Sequence, residues 1–191
     1  MLRWRPAVLA FALACIPAVA AAPGQDPDSP EVQAAARAAL AHSKILDIQG
    51  ITLGIEAVLK DLGAKVTATE IKIELDADVL FDFDKYTLRP EAAETLRKVG
   101  QAVAGYPQAP LLIEGYTDGK GTHPYNMKLS ENRAGAVKAW LVANAGVEAA
   151  RIRTAGWGET KPIAPNTNPD GSDNPQGRQK NRRVELTLRT K

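Results

Sequence analysis

Only one cysteine, Cys15, and two histidines occur in the 191 residues. Cys15 sits in an apolar N-terminal stretch, so the rest of the chain can form no internal disulfide and holds no zinc-spaced Cys/His cluster. No G-x-S-x-G elbow is present, which leaves serine-nucleophile chemistry without its usual signature. An excess of either charge is also missing. The chain has 24 basic and 22 acidic residues, and two of the basic ones, Arg3 and Arg5, lie in a first 22 residues free of acid. Subtracting those two leaves 22 against 22. A near-neutral remainder gives no electrostatic support for a nucleic-acid partner. Internal repeats are absent.

What is there begins with MLRWR, the apolar PAVLAFALACIPAVAAA and the polar PGQDPDSP. These are the charged, apolar and small-residue zones of a secretory signal peptide over residues 1–22, with cleavage after Ala20 or Ala22. The apolar run is short for a membrane anchor. ALAC (12–15) is similar to a lipoprotein cleavage point, which would make Cys15 a lipid-attachment site. Ala12, where a larger aliphatic residue is usual, and Ile16-Pro17 after the cysteine favour the soluble form.

Residues 23–70 read as linker and helical extension. PGQDPDSP (23–30) is a turn-rich linker, and Ser29-Pro30 offers an N-cap and N1 proline for a short helix over 31–44. Residues 45–63 are more apolar, with Ile55, Val58, Leu59 and Leu62 at helical spacing and Gly63 as C-cap. That piece either packs on the main domain or forms a homodimer surface.

The main domain is expected over 71–191. Odd positions from Ile71 to Phe83 are apolar and, Leu80 excepted, polar residues alternate with them. This predicts a strand with one buried face, bent or broken near Asp76-Ala77-Asp78. A helix follows from Pro90 to the stop at Pro107, then the strand LLIEGY (111–116) and a helix over 129–146. That second helix carries the stripe Leu129, Ala136, Val137, Trp140, Leu141 and Ala145. RIRTAGWG (151–158) and RVELTLR (183–189) complete the strands. The order β-α-β-α-β-β implies an α+β two-layer sandwich, a mixed sheet with helices on one face. Residues 161–180 read as a long polar loop whose Asp170, Ser172, Asp173 and Asn174 have turn chemistry, not calcium spacing.

Asp118 ends the strand-like run LLIEGYTD, and Arg133 lies 15 residues on, four after Leu129 and four before Val137. Arg133 is thus placed at the edge of the inward stripe, where a charge requires a partner. A carboxylate near such an arginine could receive a ligand carrying both ammonium and carboxylate; it could equally form a structural salt bridge.

VLFDFDKYTLRPEA (79–92), EGYTDGKG (114–121), Asn126, LSENRA (129–134), GWGETKP (156–162) and NRRVEL (181–186) occur in this order. Together they resemble the OmpA-like C-terminal domain, a peptidoglycan-binding module of Gram-negative envelope proteins. The resemblance covers about residues 71–191. It implies that Asp118 and Arg133 grip the diaminopimelate of the stem peptide, Arg133 taking a carboxylate and Asp118 an ammonium with help from backbone N–H groups of the TDGKGT turn. Thr117 and Asn126 become polar contacts, Leu129 an apolar wall and Asp84 a residue near the peptide. For Thr117 and Asn126 the alternative is turn and cap duty; for Asp84 it is solvation on the polar face of the first strand. Tyr116 stands where the family usually has histidine, which puts any role of an imidazole in doubt.

The resemblance therefore implies a non-catalytic tether between peptidoglycan and the outer membrane or an envelope protein, exported to the periplasm and needing no cofactor or metal. The alternative is a peptidoglycan-acting hydrolase using Asp118, Glu114 and His123, although no orienting third group is apparent. A flagellar stator subunit would need an acid in its membrane helix, and residues 6–22 contain none. The roughly fifty residues ahead of the domain cannot supply eight membrane strands of about ten residues each.

Overall fold

The computed structural model describes residues 30–190. The expected signal segment with Cys15, the expected linker up to residue 29 and the expected Ser29 cap lie outside the described residues. The chain divides into two compact units, residues 1–46 and 47–191.

Helix α1 runs unbroken over Pro30–Asp61, where the sequence suggested two pieces. Gly50 and Gly54 fall inside it; an interior glycine costs a helix about 1 kcal/mol, and the surrounding Ala, Leu, Lys and Glu residues outweigh that. In the described part of the first unit the helix is exposed, Leu40 included. Within the second unit Leu59 is buried and Ile55, Val58 and Leu62 pack against the core. The helix closes on Gly63 at φ +62°, with Ala64 N–H donating to Leu59 O at 2.9 Å. This is the left-handed cap that the glycine anticipated. Among the described residues no helix is long and apolar enough to cross a membrane.

One five-stranded sheet follows, in the order β1-β2-β5-β3-β4. The strands are β1 (Lys65–Val66), β2 (Glu70–Asp76), β3 (Leu111–Gly115), β4 (Ile152–Gly156) and β5 (Arg183–Arg189). β5 is antiparallel to both β2 and β3, while β3 and β4 run parallel, joined through a helix. The short β1 was not foreseen. Ile71, Ile73 and Leu75 of β2 and Val184, Leu186 and Leu188 of β5 face one side. Helices α3 (Ala92–Ala104) and α4 (His123–Ala145) cover that side, giving the anticipated two-layer mixed α+β arrangement.

The alternation beyond Asp76 is not a strand. Asp76 Oδ1 accepts from Asp78 N at 2.8 Å and caps the four-residue helix α2 (Ala77–Leu80). The period therefore changes from two to helical. Leu80, the exception to alternation, is fully buried, whereas Phe83 is 88 % exposed. Asp84 is accordingly not on a strand face; it lies in a loop at φ +62°, the left-handed region that Asp tolerates better than most residues.

The polar segment 161–180 contains a further unforeseen element, α5 (Pro175–Asn181). Asn174 Oδ1 caps it by accepting from Gly177 N at 2.9 Å, and Pro175 occupies its first turn. Upstream, Asp170 Oδ1 accepts from Ser172 N and Oγ, as turn chemistry requires.

Candidate functional site

α4 presents a buried face of Asn126, Leu129, Ser130, Arg133, Ala134, Val137 and Leu141. Its C-terminal half is apolar and its N-terminal half polar. The polar half packs hard against the ends of β3 and β4. A Cβ on Gly115 would sit 2.1 Å from Ser130 O, and one on Gly156 would sit 2.5 Å from Glu131 N. Glycine at both strand ends lets helix backbone approach sheet backbone. Ser130 Oγ fills the seam, donating to Met127 O at 2.8 Å and accepting from Gly158 N at 2.9 Å.

That packing holds the polar end of α4 beside the turn leaving β3, over a hollow of about 350 Å³. All six sequence candidates, Asp84, Thr117, Asp118, Asn126, Leu129 and Arg133, line it. Asp78, Phe83, Lys120, Tyr125, Arg178 and Arg182 also line it, none of them expected as a site residue from the sequence.

Arg133 is 3 % exposed. Its Nε donates to Lys85 O at 3.0 Å and its guanidinium stands over the Phe81 ring at 5.3 Å. Among the described residues no carboxylate lies within ion-pair distance of it. Burial holds its pKa below the usual arginine value, with Asp78 opposing that shift and Arg182 adding to it. The direct Asp118–Arg133 salt bridge offered by the sequence is therefore not formed.

Asp118 is bound elsewhere. Its Oδ2 accepts from Arg182 Nη1 at 2.8 Å and lies 3.7 Å from Arg178 Nε; its Oδ1 accepts from Lys120 N at 3.0 Å. Arg182 also grips Asp78 with Nε and Nη2, at 2.9 and 2.6 Å. The hydrogen bonds to Asp78 lead in raising the Arg182 pKa, and those to Asp118 add to them. Arg178 reaches across to Asp173 as well. The NRRVEL motif gave a sequence-level sign of Arg182. Arg178 was findable only by recognising Asn174-Pro175 as a helix start.

Asp84 has no cation partner among the described residues; Tyr125 Oη donates to its Oδ1 at 2.6 Å. Thr117 Oγ1 donates to Asp118 O and Asn126 Nδ2 to Lys120 O, so both side chains hold the turn. Tyr116 does not line the hollow. It lies under the Arg183 guanidinium, 3.8 Å from the ring centroid, with its hydroxyl 3.5 Å from Glu185 Oε2. Burial foremost, with Glu185 beside it, raises its pKa. The acid/base trio of the alternative reading is dispersed. Glu114 accepts from Trp157 Nε1, His123 pairs with Glu159, and Asp118 binds Arg182.

The OmpA family model matches residues 80–176. The chain is 44 % identical over 117 residues to outer membrane protein A of Bordetella avium, covering 61 % of this chain and 57 % of that protein. It is 35 % identical over 98 residues to the peptidoglycan-associated lipoprotein of Brucella melitensis, covering 51 % and 58 %. The cell wall anchor of the Pseudomonas aeruginosa T6SS superposes with a TM-score of 0.58 at 28 % identity, covering 67 % of this chain and 87 % of that one. The chain spans under two thirds of these curated relatives, and 15 % of the photosystem I P700 chlorophyll a apoprotein A2 of Gloeobacter violaceus, to which it is 45 % identical over 135 residues.

Proposed function

The chain belongs to the OmpA family, and from that premise we propose that it binds peptidoglycan without catalysis, through the diaminopimelate of the stem peptide, in the hollow between α4 and the turn after β3. The observation that carries this reading is a pair of opposite charges held apart in one hollow: Arg133, a buried cation with no carboxylate within ion-pair distance, and Asp84, a carboxylate that acts on Arg133 only through space and has no cation within that distance among the described residues. A zwitterion supplies what each lacks.

The free amino groups of Arg133 take the ligand carboxylate in a bidentate, charge-assisted contact. The ammonium goes to Asp84, whose Oδ2 is uncommitted. This differs from the assignment to Asp118 expected from the resemblance. An ammonium at Asp118 would have to enter beside Arg182 and Arg178, which already neutralise that carboxylate. Asp118 instead fixes the two arginines and the turn. Leu129 gives the methylene chain an apolar wall. The names of the relatives support a wall-associated role, and the proposed setting is the periplasm, where the domain ties an outer-membrane or envelope component to the wall. Nothing in the site favours the hydrolase alternative.

The test is co-sedimentation of purified protein with insoluble peptidoglycan sacculi, with free diaminopimelate as competitor. Wild type is expected in the pellet and released by the competitor, with Arg133→Ala and Asp84→Asn each in the supernatant. Pelleting of both variants at wild-type levels would overturn the proposal.

A further inference from the structure

β3 is only five residues long, and the hollow just described lies at its C-terminal end. A second and larger hollow, of about 470 Å³, lies at its N-terminal end, on the sheet face turned away from α3 and α4. Strand alternation puts Leu112, Arg153, Thr187 and Arg189 on that face, opposite the core residues Ile113, Ile152, Leu186 and Leu188. The rim is completed by Gln108, Pro110 and Arg151.

Its charge is of one sign. Three arginines line it and no acidic residue does. Arg153 and Arg189 are exposed, and neither guanidinium makes an ion pair or side-chain hydrogen bond among the described residues. Glu70 stands opposite Arg189 in the β2–β5 register yet forms no ion pair with it. Arg151 is anchored differently. Its Nε donates to Ala109 O at 3.1 Å and its Nη2 to Tyr106 O and Ala109 O at 2.7 and 2.8 Å, leaving Nη1 uncommitted. The backbone thus fixes one guanidinium at the edge of a concave surface, which two exposed and unpaired arginines also line.

We infer that this hollow is an anion site for a phosphoryl group. A carboxylate is satisfied by one bidentate arginine, whereas a phosphoryl group presents three oxygens and can engage several guanidinia together. Leu112 and Pro110 supply apolar contact for whatever carries the phosphoryl group, a membrane lipid headgroup or a soluble phosphorylated molecule. Its position at the opposite end of the sheet from the Arg133 hollow leaves both sites open at once. In a wall-binding protein the second site would hold the far end of the domain to a phosphate-bearing surface or ligand.

The experiment titrates isotope-labelled purified protein with inorganic phosphate and then glycerol 3-phosphate, following backbone amide shifts in solution. A parallel arm sediments the protein with phosphatidylglycerol or phosphatidylcholine vesicles. Expected are saturable shifts at Ala150, Arg153, Thr187 and Arg189, with affinity about tenfold weaker in the Arg153→Gln/Arg189→Gln variant. Both side chains are exposed, so the variant keeps the wild-type fold, and its sacculus binding serves as the control. Selective sedimentation with phosphatidylglycerol would name a lipid headgroup as the source. Phosphate binding without sedimentation would name a soluble ligand. Absence of shifts at these amides, or equal affinity in the variant, would overturn the assignment.

Discussion

Asp118 Oδ2 lies 2.8 Å from Arg182 Nη1, joining residues 64 positions apart at the floor of the Arg133 hollow. Arg182 is bound on its other edge by both oxygens of Asp78. The turn after β3, the start of α2 and the end of α5 therefore meet on one guanidinium. Arg182 and Asp118 are largely shielded from water, so their contact is worth more than a surface ion pair, whereas the Asp78 side chain is 41 % exposed and its contact is screened.

It follows that Arg182→Ala should lower the unfolding free energy by about 2 kcal/mol, because buried Asp118 loses its closest cation while the partly exposed Asp78 is screened by water and adds less. Asp118→Asn keeps the shape of the turn and removes only the charge. A double-mutant cycle between Asp118→Asn and Arg182→Gln should give a coupling of about 1–2 kcal/mol in urea denaturation. Additive effects of the two changes would show that the contact contributes nothing net.

Arg133 should behave in the opposite way. Its charge is buried beside Phe81 with one backbone acceptor and, among the described residues, no carboxylate within ion-pair distance. Arg133→Met keeps the apolar stem and removes that charge, so stability should hold or rise by up to about 1 kcal/mol. Sacculus binding should fall by about tenfold to a hundredfold, the worth of one charge-assisted pair. Calorimetry and co-sedimentation on the same preparation check both halves. A loss of stability with binding intact would make Arg133 a structural residue.

Gly115 and Gly156 carry a third prediction. A Cβ on Gly115 would lie 2.1 Å from Ser130 O, which is helix backbone and cannot swing aside. Gly115→Ala should lower stability by about 2–3 kcal/mol and weaken wall binding by lifting α4 from the turn. Thermal melts read the first effect. A fully stable Gly115→Ala would mean that α4 can move without cost.

Strands β2–β5 and helices α3 and α4 were legible because their apolar periods are regular, although α4 begins at His123, a turn and a half before the expected start at Leu129. β5 shows why, with Val184, Leu186 and Leu188 falling inward as alternation demands. The break expected near Asp76-Ala77-Asp78 is where β2 ends, but the rule failed beyond it, at Phe83, because the Asp76 cap turns the chain into a helix and alternation does not show that. The candidate residues of the hollow were legible through ordered motifs, but their partnerships were not. Asp118 and Arg133 are close in sequence and the obvious pair. Asp118 is instead taken by Arg182, a choice settled by how β5 and α5 return to the turn. Tyr116 illustrates the complementary limit: it is adjacent to Thr117 in sequence yet points away from the hollow into a network with Arg183 and Glu185.

That network makes the last prediction, in acid. Glu185 is 5 % exposed and accepts from Arg183 Nε and Lys72 Nζ, both at 2.7 Å. Burial pushes its carboxyl up, but the bonds from Lys72 and Arg183 outweigh this and hold its pKa below the ordinary glutamate value. A carboxyl whose folded pKa is depressed adds stability above its unfolded pKa, near 4.3 for glutamate. That contribution is lost as pH falls through the folded value. Tyr116 has its hydroxyl pKa raised and stays protonated over this range, so it adds no slope. Stability measured by urea denaturation should therefore fall between about pH 5 and pH 3, and Glu185→Gln should flatten that fall while lowering the plateau at pH 7 by about 3 kcal/mol. An unchanged acid slope in Glu185→Gln would assign the pH dependence to other carboxylates.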